Sequence, residues 1–157
     1  MVELDVKITA GDLYDFMLMH NYSKASGVMG SGLGALMILW GSYTKYWILV
    51  IGGVVLLLYL PWVLFIKSRQ QAVSPMFKQP LHYVMDENGV TISQGEESTT
   101  QSWDEMWKAV STGKSIILYT SPVNATIFPK AQIGDKKTAV IQMISTHMPP
   151  KKVKIRL

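Results

Sequence analysis

Between Lys24 and Lys67 the chain carries a single charge, Lys45, so residues 25–44 and 46–66 are uncharged runs of 20 and 21 residues. As helices, at about 1.5 Å of rise per residue, each run covers roughly 30 Å, the thickness of a bilayer's hydrocarbon core. A soluble domain has little use for two such runs back to back. The sequence therefore predicts a two-helix transmembrane hairpin. The few polar residues of GSYTKYW, 41–47, cannot recross a membrane, so the spans are antiparallel neighbours and both termini share one side. Lys7, Lys24, Lys67, Arg69 and Lys78 flank the open end of the hairpin, against Lys45 alone in the turn. The positive-inside rule then places both termini in the cytoplasm of a plasma membrane. Trp40, Tyr43, Tyr46 and Trp47 suit the outer interface, and Tyr59 and Trp62 lie towards the inner one.

Within the spans, Ser26, Gly30 and Gly34 recur every four residues, a small-residue stripe that admits a second helix closely. Gly52 and Gly53 offer the matching patch, so the expected use is packing inside the hairpin, with homo-oligomer formation as the alternative. GSGLGA matches a dinucleotide-binding fingerprint, but no strand, following acid or soluble context accompanies it. Pro61 falls near the cytoplasmic end of the second span, where a bend is expected. Neither span holds an ionisable residue, which argues against a transporter or channel acting alone.

Cysteine is absent, so disulfide staples, thiolate nucleophiles and Cys-ligated metal centres are excluded. The first residues, MVELDVKITAGDL, lack the basic start and apolar core of a signal peptide, so insertion is expected to use the internal runs. Residues 1–24 read as a strand followed by an amphipathic helix. Val2, Leu4, Val6 and Ile8 alternate with polar residues. Thr9 and Asp12 then sit as a capping box ahead of Leu13, Phe16, Met17 and His20. One strand is not stable alone, so it is expected to join the sheet of the C-terminal part. Residues 67–79 read as a linker.

Beyond the linker the pattern is dominantly β: LHYVM, the turn DENG, VTIS, the turn QGEE, STTQSW, SIILYT, the turn SPVN and ATIFP. WDEMWKAV fits either a short helix or a strand. Val140, Ile141, Ile144 and Met148 recur at helical spacing before Pro149 and Pro150. The expected class is an α+β membrane protein, with a hairpin at 25–66 and a module at 80–157 closed by a C-terminal helix.

The order of two spans, a strand ending in DENGV, a Trp-Asp-Glu segment, an Ile-rich strand, IFPK and a final helix resembles the YcxB-like proteins of bacteria. Gly89, Trp103, Asp104, Phe128, Pro129 and Lys130 carry the resemblance, which extends over the spans and roughly 78–148. It implies a small pleckstrin-homology-like (PH-like) barrel and no established biochemical activity.

A search for chemistry finds little. His20, His82 and His147 fall in three different elements without metal-ligand spacing. The acid pairs Asp86–Glu87 and Glu96–Glu97 lie in turns, and Asp104 suits a helix cap. No nucleophile elbow or phosphate loop occurs, so neither an enzyme nor a cofactor is expected. The NAT tripeptide at 124–126 matches a glycosylation sequon, without consequence at a cytoplasmic position.

Trp103 and Trp107 are a candidate partner face, or one core anchor and one partly exposed ring. Lys130 and the tail bases Lys151, Lys152, Lys154 and Arg156 are candidate contacts for anionic phospholipid headgroups. The bland reading of the tail is a solvated end or an edge strand guarded by lysines. Nucleic-acid binding is not expected, because the basic excess is small and no recognition motif is present. The functional expectation is a non-catalytic, membrane-anchored interaction module that binds a protein partner. The alternatives are an anionic-lipid-binding domain, a bacteriocin or toxin immunity protein, and an accessory subunit of a transporter.

Overall fold

A computed structural model describes residues 1–155. The described chain is α+β and divides into two compact units: residues 1–16 together with those from 71 onward, and residues 17–70.

The helical unit is built on α2 (Ala25–Thr44) and α3 (Trp47–Ala72). Both are long and apolar enough to cross a membrane, and only 11% of the most apolar stretch of each is buried. Leu33, Leu36, Leu39, Ile51, Val55 and Leu58 are all exposed. The α2–α3 connection closes on Lys45, whose φ of 58° is left-handed; Tyr46 N–H donates to the Gly41 carbonyl at 2.8 Å. Gly34 and Gly53 meet across the pair, where a Cβ on either would lie 2.9 or 2.6 Å from the other's carbonyl oxygen. Gly41 is as tight against Val50. The small-residue stripe therefore splits. Gly34 and Gly53 serve the interface, a Cβ at Gly52 would meet only the end of Met37, and one at Gly30 would point into open space. Ser26 and Gly30 line a shallow groove with Leu56 and Tyr59 instead.

α3 does not stop at residue 66. Lys67, Arg69 and Gln70 are good helix formers, so the helix runs to Ala72 before Ser74 and Pro75 open α4 (Pro75–Lys78). Much of the expected linker is helical.

The other unit, residues 1–16 together with those from 71 onward, holds two four-stranded sheets. The first, in the order β1-β2-β3-β4, is antiparallel throughout: Val2–Val6, Leu81–Met85, Gly89–Gln94 and Glu97–Ser102. The second has the order β7-β6-β5-β8: Ala125–Pro129, Ser115–Tyr119, Lys108–Ser111 and Val153–Lys154. β8 lies parallel to β5 and the other pairs are antiparallel. These are two open sheets rather than the closed barrel implied by the resemblance. The N-terminal strand pairs with β2, Val6 opposite Leu81, and α1 (Ala10–Tyr22) follows it. At its start Thr9 N–H donates to the Asp12 carboxylate at 2.9 Å while Asp12 N–H returns to Thr9 Oγ1 at 3.3 Å. Two free helix-end donors are thereby satisfied.

The core lies between the sheets and under α6 (Lys137–His147), which follows the short α5 (Lys130–Ile133). Leu4, Val6, Tyr83, Met85, Val90, Ile116, Leu118, Phe128, Val140 and Ile144 are all buried there. Tyr83 and Phe128 meet edge to face at 5.0 Å, joining one sheet to the other. Outer faces are polar, with Asp5 opposite His82 at 2.8 Å and Thr91 bonded to Thr100 at 2.9 Å.

Candidate functional site

A cleft of about 430 Å³ opens inside the unit that holds the two sheets. One wall is the inner face of the first sheet, where register places Tyr83, Ile92 and Thr99 side by side across β2, β3 and β4. β7 and the turn before it form the facing wall. Leu13 and Phe16 of α1 and Phe77 of α4 also line it. Met76 and Val123, at the rim, are 61% and 64% exposed, large apolar side chains left in water.

The β4 wall is unusual for a core-facing strand. Thr99 and Gln101 lie opposite Ile92 and Val90, so polar side chains occupy a face that is apolar at those positions of β3, and Glu97 pairs with Gln94. Gln101 Oε1 is buried and has no donor among the described residues. Burial pushes the Tyr83 phenol well above its ordinary value, so the hydroxyl stays protonated.

The residues singled out in the sequence do not assemble. Trp103 is only 6% exposed; its Nε1 donates to the Asp86 carbonyl at 2.8 Å and its ring stacks on His147 at 5.1 Å. Trp107 is 43% exposed, packs edge-on against Tyr119 and carries the Lys108 ammonium 4.4 Å above its ring. The two indoles are one core anchor and one partly exposed ring, the second of the two arrangements considered for the pair.

The proposed headgroup contacts divide in the same way. Lys130 Nζ donates to the Thr112 carbonyl at 2.6 Å, and Lys152 Nζ to the Met106 carbonyl at 3.0 Å. Met106 and Thr112 lie at opposite ends of β5, roughly 20 Å apart at about 3.3 Å per residue. Lys130 therefore does not converge with Lys151, Lys152 and Lys154. Val153 and Ile155 pack on the core, Val153–Lys154 forms an edge strand, and Arg156 lies outside the described residues.

The DENG turn is held more tightly than a surface loop requires. Asp86 Oδ1 accepts from Asn88 N–H at 2.8 Å and Gly89 N–H at 3.0 Å. A Cβ on Gly89 would lie 2.0 Å from the Gln101 carbonyl oxygen, a separation no side chain tolerates. With the Trp103 bond to the Asp86 carbonyl, these residues tie the β2–β3 turn to the end of β4 and the 3₁₀ turn that follows it. Phe128, fully buried, anchors the second sheet.

Residues 86–144 match the family model described as YcxB-like protein. Over these residues the chain is similar to YcxB-like proteins. No curated protein and no solved structure matches the chain. The YcxB-like segment runs from the DENG turn into α6 and contains Gly89, Trp103, Asp104, Phe128, Pro129 and Lys130. Asp86, Gly89, Trp103 and Phe128 have architectural roles: a turn, a close strand approach and two core anchors. The cleft was not singled out from the sequence, although STTQS held a signal, since a strand with no apolar face borders solvent or a cavity.

Proposed function

We propose that this protein is a non-catalytic membrane-anchored interaction module that presents a PH-like YcxB-type domain at the cytoplasmic face and binds a protein partner there. Anchoring is supported by α2 and α3, whose apolar side chains stay outside any core and would be costly in water. The bias of Lys7, Lys24, Lys67, Arg69 and Lys78 over Lys45 supports cytoplasmic termini. Four antiparallel strands, three more and a closing helix follow the order of a PH-like domain, which supports that fold assignment.

The observation that carries partner binding is the cleft mouth, where Met76 and Val123 stay exposed beside an open sheet edge. This moves the binding face from the tryptophan pair to the cleft. The test is crosslinking in cells followed by gentle purification of the full chain, with Val123→Glu as the control. The reading expects a stoichiometric partner that the variant loses. Equal recovery of the same proteins by both chains, or of none, refutes it.

A further inference from the structure

Two sheets have four outer edges, and in this protein three of them are managed. The β1 edge is occupied by side chains that imitate a strand. Gln132 Oε1 accepts from Lys7 N–H and Gln132 Nε2 donates to the Lys7 carbonyl, both at 2.8 Å. Lys136 Nζ closes the Glu3 carbonyl at 2.7 Å. β8 is two residues long and carries Lys154, and β7 ends on Pro129, which has no N–H to offer. β4 has none of these devices. It runs six residues, Glu97–Ser102, without lysine or proline, and among the described residues no strand lies beyond it. Its first four residues are exposed. An edge of this kind is a template for another backbone.

We infer that β4 accepts an extended peptide segment of the partner protein as an added strand, whose inward side chains enter the cleft. This deepens the proposed function and rests on it. The cleft specifies the peptide's chemistry. Leu13, Phe16, Ile92 and Ile127 offer an apolar floor for at least one aliphatic or aromatic side chain. Gln101 Oε1 awaits a donor, and peptide and side-chain N–H groups supply donors. Among the described residues Glu97 is the only charged one lining the cleft, so a basic residue at the matching end is favoured and an acidic headgroup is not. A second copy of β4 fits poorly, because Glu97, Thr99 and Gln101 would bring no apolar side chain to the floor. The occupant is thus a strand-forming segment with apolar residues at alternate positions and a lysine or arginine at one end.

The experiment is selection of a displayed library of random decapeptides against the full chain in nanodiscs. The most enriched sequence is then tested as a synthetic peptide. Enrichment of alternating apolar residues with a terminal base and without proline is expected. Methylating alternate backbone nitrogens of that peptide, in each of the two phases, should weaken binding at least tenfold in one phase. Thr99→Trp, which fills the cleft from an exposed position, should do the same, and Glu97→Lys should invert the preference for the basic over the acidic form.

No enrichment, enrichment at helical spacing, indifference to both N-methylated forms, or β4–β4 crosslinks between copies would overturn the inference. If the Thr99→Trp chain still recovers its partner from cells, strand addition is wrong and the adaptor reading survives. If peptides bind as described but cells yield no partner, the adaptor reading fails instead.

Discussion

Gly89→Ala is the substitution whose cost follows most directly from geometry. The added Cβ would sit 2.0 Å from the Gln101 carbonyl oxygen, 2.8 Å from the same residue's carbonyl carbon and 3.0 Å from Ser102 Cα. All three are backbone atoms, so no rotamer change relieves the contact. The strands must part by more than 1 Å at the Gly89–Ser102 pair, where β4 turns into the Trp103 segment. Opening that end of the ladder and loosening the Asp86 turn removes two or three hydrogen bonds at about 1 kcal/mol each, giving a loss of about 3 kcal/mol. For a unit of this size that lowers the melting temperature by roughly 12–24 °C, at about 4–8 °C per kcal/mol. The assay is thermal unfolding of the full chain in detergent, followed by tryptophan fluorescence, since Trp103 reports on this corner. Combining the change with Trp103→Phe should give less than the sum of the two single effects, because both act on the Asp86 turn. A loss below about 0.5 kcal/mol for Gly89→Ala, the ordinary range of an indifferent surface change, would refute the reasoning.

The helical pair separates two glycines that look equivalent in sequence. Gly34→Leu should abolish the disulfide between cysteines engineered at Met37 and Gly52, whereas Gly30→Leu should leave it unchanged. Thr44→Cys should react with an impermeant maleimide in intact cells, because the turn faces outward under the proposed orientation. Lys130→Gln should cost about 1 kcal/mol in thermal stability by freeing the Thr112 carbonyl. Burial pushes the Tyr119 phenol up to about 12. The unfolded chain therefore ionises first, and stability that is complete below pH 10 should fall as the pH rises towards 12. Urea midpoints measured across that window should fall less steeply in Tyr119→Phe.

Regular elements were legible wherever one period dominated. The alternation from Val2 to Ile8, the Thr9–Asp12 box, the uncharged runs and the Val140–Met148 spacing each state a local geometry that tertiary contacts reinforce. The second span's end was less visible, because hydropathy reports where a run leaves oil and not where hydrogen bonding stops, and Lys67–Ala72 prolongs the helix. WDEMWKAV looked ambiguous because it is two things in succession, a 3₁₀ turn at Trp103–Glu105 and then β5. The cleft depends on which strands lie at edges, a property of pairing that composition does not carry. The partners of two lysines were hidden for a related reason: Lys130 and Lys152 end on backbone carbonyls that only the folded chain brings near.

β1 and β2 are neighbours in space, yet Val6 waits for Leu81, 75 residues later. At 5–20 residues per second the ribosome takes roughly 4–15 s to deliver that partner. During that interval the whole helical pair is made while the first strand has nothing to pair with. The sheet therefore closes only on chains whose hairpin has already emerged. A pause, truncation or misrouting between residues 25 and 72 would leave an unpaired strand and a bare α1 for chaperones and proteases to find. Completion of the domain in this way serves as a receipt for synthesis of the anchor.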